Sequence, residues 1–267
     1  MTIQATQELM QVLRLHGMLE ALTQQQAQPT YSSQSFEQRL AHLVDAEHSH
    51  RDTQRLQRLL KNAKLKYNAA PEAIDYRHPR GLDRDLMAEL LTCGWIDRQQ
   101  NVLITGLTGT GKTWIGCALG VQAARQGCSV LYKRTGRLLE EMDVAHKDGS
   151  IAKVRTQLGK ARLLILDDFG LNAMNARARS DLLEVLDDRV GTGSTLVLGQ
   201  MPVKDWHAFI NDPALADAII DRLIHISHRI AFKGKKKTTT DPLSLNCFFG
   251  SGNKCFRKGK KKSYKKT

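Results

Sequence analysis

Three glycines, three threonines and a lysine share the eight positions from Gly106 to Thr113, G-L-T-G-T-G-K-T. That spelling suits one task, wrapping a phosphate. Glycines let the backbone pass close to an anion and turn successive N–H groups inward as donors. Gly106, Thr108, Gly109, Thr110, Gly111, Lys112 and Thr113 are therefore the candidate nucleotide-binding set. Lys112 would reach the β- and γ-phosphates, and the Thr113 hydroxyl would ligate Mg²⁺. The flanks agree. Residues 102–105 (V-L-I-T) read as a buried strand, and 114–126 as a helix whose N-terminus offers free N–H groups and its positive dipole end to the same anion.

A second acidic constellation follows at L-L-I-L-D-D-F-G, residues 163–170. A carboxylate at the end of a buried strand beside a phosphate loop is where Mg²⁺ needs its partner. Asp167 takes that role in this reading, and Asp168 would polarise the attacking water. The strand S-T-L-V-L-G-Q ends on Gln200, which could touch the γ-phosphate or the water, or be an ordinary polar residue at a strand end. In D-A-I-I-D-R-L, Arg222 follows Asp221 on a helix. Alone this is a surface ion pair. Supplied across a subunit boundary, such an arginine accelerates phosphoryl transfer by roughly 10³ to 10⁵.

The elements needed to hold these groups can be read from the periodicity. Short apolar strands at 129–133, 163–166, 195–198 and 228–232 alternate with helical stretches at 135–145, 151–160, 177–189, 203–210 and 214–223. This order implies an α/β fold with a parallel sheet covered on both faces. A helix is expected at 86–95. Residues 1–68 read as a small all-helical domain. Its stripes are Leu9, Val12, Leu13, His16, Leu19 and Leu22, then Phe36, Leu40, Leu43 and Val44, then a third helix over 51–67. On that third helix Arg51, Arg55, Arg58 and Lys66 share one side, with Lys61 near its edge and only Asp52 opposing them locally. The stripe is a candidate phosphate contact for DNA, or a solvated face. The expected divisions are a helical domain at 1–68, a Pro- and Gly-containing connector at 69–84, an ATPase-like domain at 85–234 and a basic tail at 235–267.

Composition narrows the function classes. The net charge is +13, from 40 Lys+Arg and 27 Asp+Glu. Twelve of those bases and one acid lie from Lys233 onward, leaving 28 and 26 in the rest, a net of +2. Basicity is a property of the tail, which reads as disordered and suited to salt-sensitive, sequence-blind contact with nucleic acid. No apolar run approaches the roughly 18 residues that span a bilayer, and the N-terminus lacks a signal-peptide layout, so a cytoplasmic protein with no membrane partner is expected. The five cysteines show no C-x-x-C pair, which argues against zinc.

With those motifs in hand, the chain resembles the IstB family of insertion-sequence ATP-binding proteins. The resemblance is carried by G-L-T-G-T-G-K-T, L-L-I-L-D-D-F-G, G-Q-M-P-V-K-D-W-H and A-D-A-I-I-D-R-L-I-H. It extends to L-R-L-H-G-M-L-E-A-L, F-E-Q-R-L-A-H-L-V-D-A-E and I-D-Y-R-H-P-R-G-L-D-R. It covers residues 9 to 234. It implies an AAA+ P-loop ATPase related to DnaC-type helicase loaders, which binds ATP and Mg²⁺, self-assembles on duplex DNA with nucleotide between subunits, and assists a cognate transposase. Carried over, Lys112 and Thr113 bind nucleotide and Mg²⁺, Asp167 and Asp168 form the acidic motif, Gln200 takes the sensor position, and Arg222 is the arginine acting in trans. The helical N-terminal region would contact the transposase. A replicative helicase loader, or an ATP-gated DNA-binding scaffold with little hydrolysis, are the competing readings. Two departures stand out. A small hydroxylated residue is expected where Gly199 lies. After Gly234 the family continues approximately Glu-Ser-Met-Arg, where this chain has Lys235-Lys236-Lys237-Thr238, as a frame change would produce, and the family's C-terminal arginine has no counterpart.

Overall fold

A computed structural model describes residues 2–233; the basic tail and the expectation of its disorder lie outside the described residues. The chain begins with three helices, α1 (Ile3–Val12), α2 (His16–Ala27) and α3 (Phe36–Ala63). The first apolar stripe does not form one helix. Arg14 adopts a left-handed backbone (φ 57°), and the Leu15 N–H returns to the Met10 carbonyl at 2.9 Å, closing α1. The new start comes from α3. The buried Glu47 carboxylate accepts the N–H groups of Gly17 (2.9 Å) and Met18 (3.2 Å), capping α2 from a different helix. A Cβ at residue 17 would stand 2.5 Å from the Ala46 carbonyl, so only glycine admits this approach.

Two stretches expected as separate helices are one. Helix α3 runs 28 residues from a capping box formed by Ser35 and Gln38 to Lys64, which is left-handed. No Gly or Pro interrupts it. Lys66 therefore lies beyond the helix end rather than on its basic side. The C-terminal half of α3 is not detached from the sheet-bearing part of the chain, because Leu56, Leu59 and Leu60 pack into the main core. After the connector come α4 (Arg84–Leu91) and α5 (Gly94–Asp97). The sequence predicts a single helix here, which breaks because Cys93 is left-handed (φ 62°).

The remainder alternates as expected: β1 (Asn101–Gly106), α6 (Lys112–Arg125), β2 (Val130–Arg134), α7 (Thr135–Asp148), α8 (Ile151–Gly159), β3 (Leu163–Phe169), α9 (Ala176–Asp187), β4 (Ser194–Gly199), a 3₁₀ turn and then α10 (Trp206–Ile210), α11 (Pro213–Ile224) and β5 (Ser227–Phe232). The strands form one parallel sheet in the order β2-β3-β4-β1-β5. Strand residues alternate between two cores. Val102, Ile104, Ile165 and Leu198 face α4 to α6 and α3, whereas Leu103, Leu164, Leu166 and Val197 face α7 and α9 to α11. This two-sided burial is what makes the strands almost uniformly apolar. All phosphate-loop residues then fall at the C-terminal ends of the strands, where open α/β sheets bind ligands.

Candidate nucleotide site

The phosphate loop is built as its glycines require. Gly106 (φ 149°), Gly109 (φ 85°) and Gly111 (φ 89°) all occupy the region that L side chains avoid. Gly106 also lies so close to Phe232 that a Cβ would meet its backbone oxygen at 2.9 Å. Helix α6 starts at Lys112, directly after the loop. The Lys112 ammonium is largely buried and donates to the carbonyls of Gly106 (2.7 Å) and Leu107 (2.9 Å). Burial pulls its pKa down, against the opposing pull of Asp167 and Asp168. Thr110 closes the turn by donating its hydroxyl to Leu107 O at 2.9 Å.

Asp167 stands opposite. The Thr113 hydroxyl donates to its carboxylate at 3.0 and 3.2 Å. The Asp168 N–H donates to Oδ1 at 2.8 Å, and the Tyr132 hydroxyl to Oδ2 at 2.6 Å. The Thr135 hydroxyl holds the Asp167 carbonyl at 3.0 Å. Burial and then the Asp167 contact push the Tyr132 pKa up, so this hydroxyl stays a donor. A register shift between Leu166 and Phe169 against β4 places the acidic pair on a bulge, and Asp168 is left-handed (φ 57°). The extra residue turns two consecutive carboxylates toward different neighbours. Asp168 accordingly pairs with Arg134 at 3.2 Å. It also lines a groove of about 400 Å³ between α7 and α9, which contains no residue of the phosphate loop.

Gln200 reaches the loop directly, its Oε1 accepting the Thr108 hydroxyl at 2.8 Å. The segment behind it is anchored by Trp206, fully buried, whose indole N–H donates to Met201 O at 3.1 Å and whose ring meets Phe169 at 4.6 Å. At Gly199 a Cβ would stand 3.1 Å from the Phe169 carbonyl, so the strands beside the bulge leave little room for the hydroxylated side chain expected there.

Arg222 is not brought to this site. Its backbone carbonyl accepts the Asn101 side-chain amide at 2.8 Å, at the first residue of β1, while Gly106 is the last. The strand between them spans about 17 Å. Arg222 borders a second cavity of about 550 Å³ at the N-terminal ends of the strands. Its guanidinium pairs there with Asp187 (2.7 Å) as well as the expected Asp221 (3.3 Å). Asp187 first and Asp221 second raise its pKa.

The basic stripe is exposed but partly committed. Arg51 pairs with Glu47 at 2.7 Å, an acid one turn before it, so Asp52 is not its only local opposition. Arg55 lies against the Gly127 carbonyl at 3.5 Å. Arg58 and Lys61 are exposed on α3, and Lys66 sits over the Tyr67 ring at 5.3 Å. Tyr132, Arg134, Thr135 and Arg80 escaped the sequence reading. The first three depend on β2 lying beside β3, with Arg134 in register with Asp167, which no local pattern reveals.

The oxygen donors fit Mg²⁺. The Thr113 hydroxyl and the Asp167 carboxylate are hard ligands held together, and among the described residues no cluster of three or more His, Cys, Asp or Glu forms a self-sufficient metal site. One or two protein oxygens beside substrate phosphates is the usual arrangement for this ion.

Residues 8–240 match the family described as IstB-like ATP binding protein. The chain belongs to that family. It is 51% identical over 203 residues to the ATP-binding protein of insertion sequence IS1162 from Pseudomonas fluorescens, covering 76% of this chain and 88% of the relative. It is 43% identical over 230 residues to the insertion sequence ATP-binding protein y4pL of Sinorhizobium fredii, covering 86% and 94%. Among solved structures, DnaI aligns with a TM-score of 0.54 at 16% identity over 66% of this chain and 94% of that one. The DnaC helicase loader aligns at 0.51 and 15% over 64% and 100%. AMPPCP-bound DnaA from Aquifex aeolicus aligns at 0.51 and 20% over 62% and 51%. These likenesses establish the AAA+ P-loop fold. No helix among the described residues is long and apolar enough to cross a membrane.

Proposed function

We propose that this IstB-like protein is an ATP-dependent transposition helper. It oligomerises on duplex DNA with little sequence preference, recruits or stimulates its cognate transposase, and uses ATP hydrolysis to control the assembly. The observation that carries this reading is the separation of Arg222 from the phosphate loop of its own chain, at opposite ends of β1. A transition-state arginine so placed can serve only a neighbour's nucleotide. Nucleotide is then an assembly ligand as well as a substrate.

In this reading the loop N–H groups and Lys112 bind the β- and γ-phosphates. Thr113 and Asp167 would hold Mg²⁺, which neutralises charge on the phosphate oxygens when bound. Asp168 polarises the attacking water, and Gln200, already hydrogen-bonded to Thr108, orients the γ-phosphate side of the site. Arg58 and Lys61 supply sequence-blind phosphate contacts, with Arg51, Arg55 and Lys66 at their flanks, and the helices of residues 1–68 meet the transposase.

The test is complementation between two inactive variants. Lys112→Ala abolishes a site's own nucleotide binding, and Arg222→Ala removes its donation to a neighbour. Each alone falls to a small fraction of wild-type DNA-stimulated phosphate release. Mixed in equal amounts they recover part of it, because some interfaces then join an intact loop to an intact arginine. No recovery on mixing, with the mixture still assembling on DNA in the presence of ATP, refutes the shared site.

A further inference from the structure

We propose that Arg80, in the connector ahead of the sheet, is a positioning residue for the phosphate loop, bridging the loop, the connector and the end of β5 through one guanidinium. This rests on the reading of the loop as an ATP site and adds a residue outside the phosphate loop and the acidic motif, in the connector segment I-D-Y-R-H-P-R-G-L-D-R.

The geometry is specific. Arg80 is only 8% exposed. One terminal nitrogen donates to the Thr110 carbonyl at 3.2 Å, within the loop, and the other to the Asp75 carbonyl at 2.9 Å, within the connector. The guanidinium lies over the Phe232 ring, 5.4 Å from its centroid, and the Arg80 carbonyl accepts the Lys233 N–H at 2.9 Å. Phe232 is also the residue against which Gly106 is packed. The two ends of the loop thus lean on one Phe232–Arg80 pair. The φ of 89° at Gly111 is what calls for glycine, and a Cβ there would also stand 2.7 Å from an Arg80 terminal nitrogen and displace the guanidinium.

The chemistry follows from the peptide unit. The Thr110 carbonyl and the Gly111 N–H belong to one planar trans peptide and point in opposite directions. By holding the carbonyl, Arg80 turns the Gly111 N–H away from itself, and a cationic donor on the oxygen polarises that N–H into a stronger donor. Burial makes the charge costly, and no carboxylate contacts the guanidinium among the described residues. Backbone carbonyls and an aromatic face offset part of that cost, while the Nε–H stays buried without a hydrogen-bond partner. Lysine is a poor substitute, because its donors all sit on one atom and it lacks the two separated terminal nitrogens and the planar face that reach Thr110, Asp75 and the Phe232 ring together.

The experiment compares Arg80→Ala, Arg80→Lys and Arg125→Ala in the full chain. Arg125 pairs with Glu72 and ties the same connector to α6 without touching the loop. The readouts are Kd for Mg-ATP, kcat at saturating ATP, and hydrogen exchange of the amides at 109–112 in nucleotide-free protein. Both Arg80 variants are expected to weaken ATP binding about ten-fold or more and to speed loop exchange by a similar factor, with kcat changed less than about three-fold. Arg125→Ala leaves all three near wild type. A Kd and exchange rate within about two-fold of wild type in folded Arg80→Lys overturns the assignment, as does an equal effect from Arg125→Ala. Should Arg80→Ala fail to fold, the lysine variant carries the test. A wild-type chain that binds no ATP defeats the nucleotide reading instead, and the exchange measurement still decides the role of Arg80.

Discussion

Removing one oxygen atom from Tyr132 tests how the acidic motif is held. In Tyr132→Phe the 2.6 Å hydrogen bond to Asp167 Oδ2 is lost and little else changes. Asp167 is 1% exposed and Tyr132 8%, so water does not readily replace the donor. The carboxylate keeps Thr113 and the Asp168 N–H. A hydrogen bond to a charged group contributes about 1.5–3 kcal/mol, and about 2 kcal/mol is expected here because two other donors remain. For a domain of this size that lowers Tm by roughly 4–8 °C. Urea unfolding of nucleotide-free protein, read by far-UV circular dichroism, measures it. The pH dependence has a definite sign. The folded-state pKa of Tyr132 is raised, so its contribution is complete below the unfolded value near 10 and is lost as pH rises above that toward the folded value. The gap between wild type and Tyr132→Phe should therefore be constant from pH 7 to 9 and shrink above about pH 10. A variant within about 0.5 kcal/mol of wild type at pH 7, or a gap that widens in alkali, would refute the reasoning.

Two further outcomes are expected. Burial pushes the Glu47 pKa up, but the Arg51 contact and the N–H groups of Met18 and Gly17 outweigh it and leave a net lowering. Its stabilisation is thus present above the unfolded value near 4.3 and lost as pH falls through the folded one, and Glu47→Gln should make stability of the α2–α3 pair, followed by hydrogen exchange of residues 17–22, less sensitive to pH between about 5 and 3. If Arg58 and Lys61 each contact a phosphate, Arg58→Ala/Lys61→Ala should weaken duplex binding equally on unrelated sequences and reduce the slope of log K against log salt by about 2, measured by fluorescence anisotropy; an unchanged slope removes these residues from the interface.

What could be read in the sequence was what is local. The loop from Gly106 to Thr113, the strand before it and the helix after it obey spacing rules that neighbours in space do not alter, and Asp167 is marked by the apolar run it ends. The sheet and its two cores followed from the alternation of short apolar runs with helical periods. What was not readable depends on contacts between distant segments. The break at Arg14 is fixed by Glu47, thirty positions beyond the Gly17 it caps. The polar stretch between the stripes of α3 looked like a gap but contains no helix breaker, and the Cys93 break between α4 and α5 needs a left-handed residue that is not glycine. Tyr132 and Arg80 approach the site from a neighbouring strand and from the connector, so neither the phosphate-loop spacing nor the acidic motif points to them.

The placement of Arg222 at the far end of β1 from Gly106 gives the protomer polarity. In the proposed assembly its two ends have unlike roles, a loop that binds its own nucleotide and an arginine, held here by Asp187 and Asp221, that acts on a neighbour's. Joining such ends is a heterologous contact, which propagates in one direction only. An open row of copies would have one fewer complete site than it has members, with a bare loop at one terminus and an unused arginine at the other. Laid along a duplex whose own backbone is nearly symmetric, such a row would tell one direction of the DNA from the other.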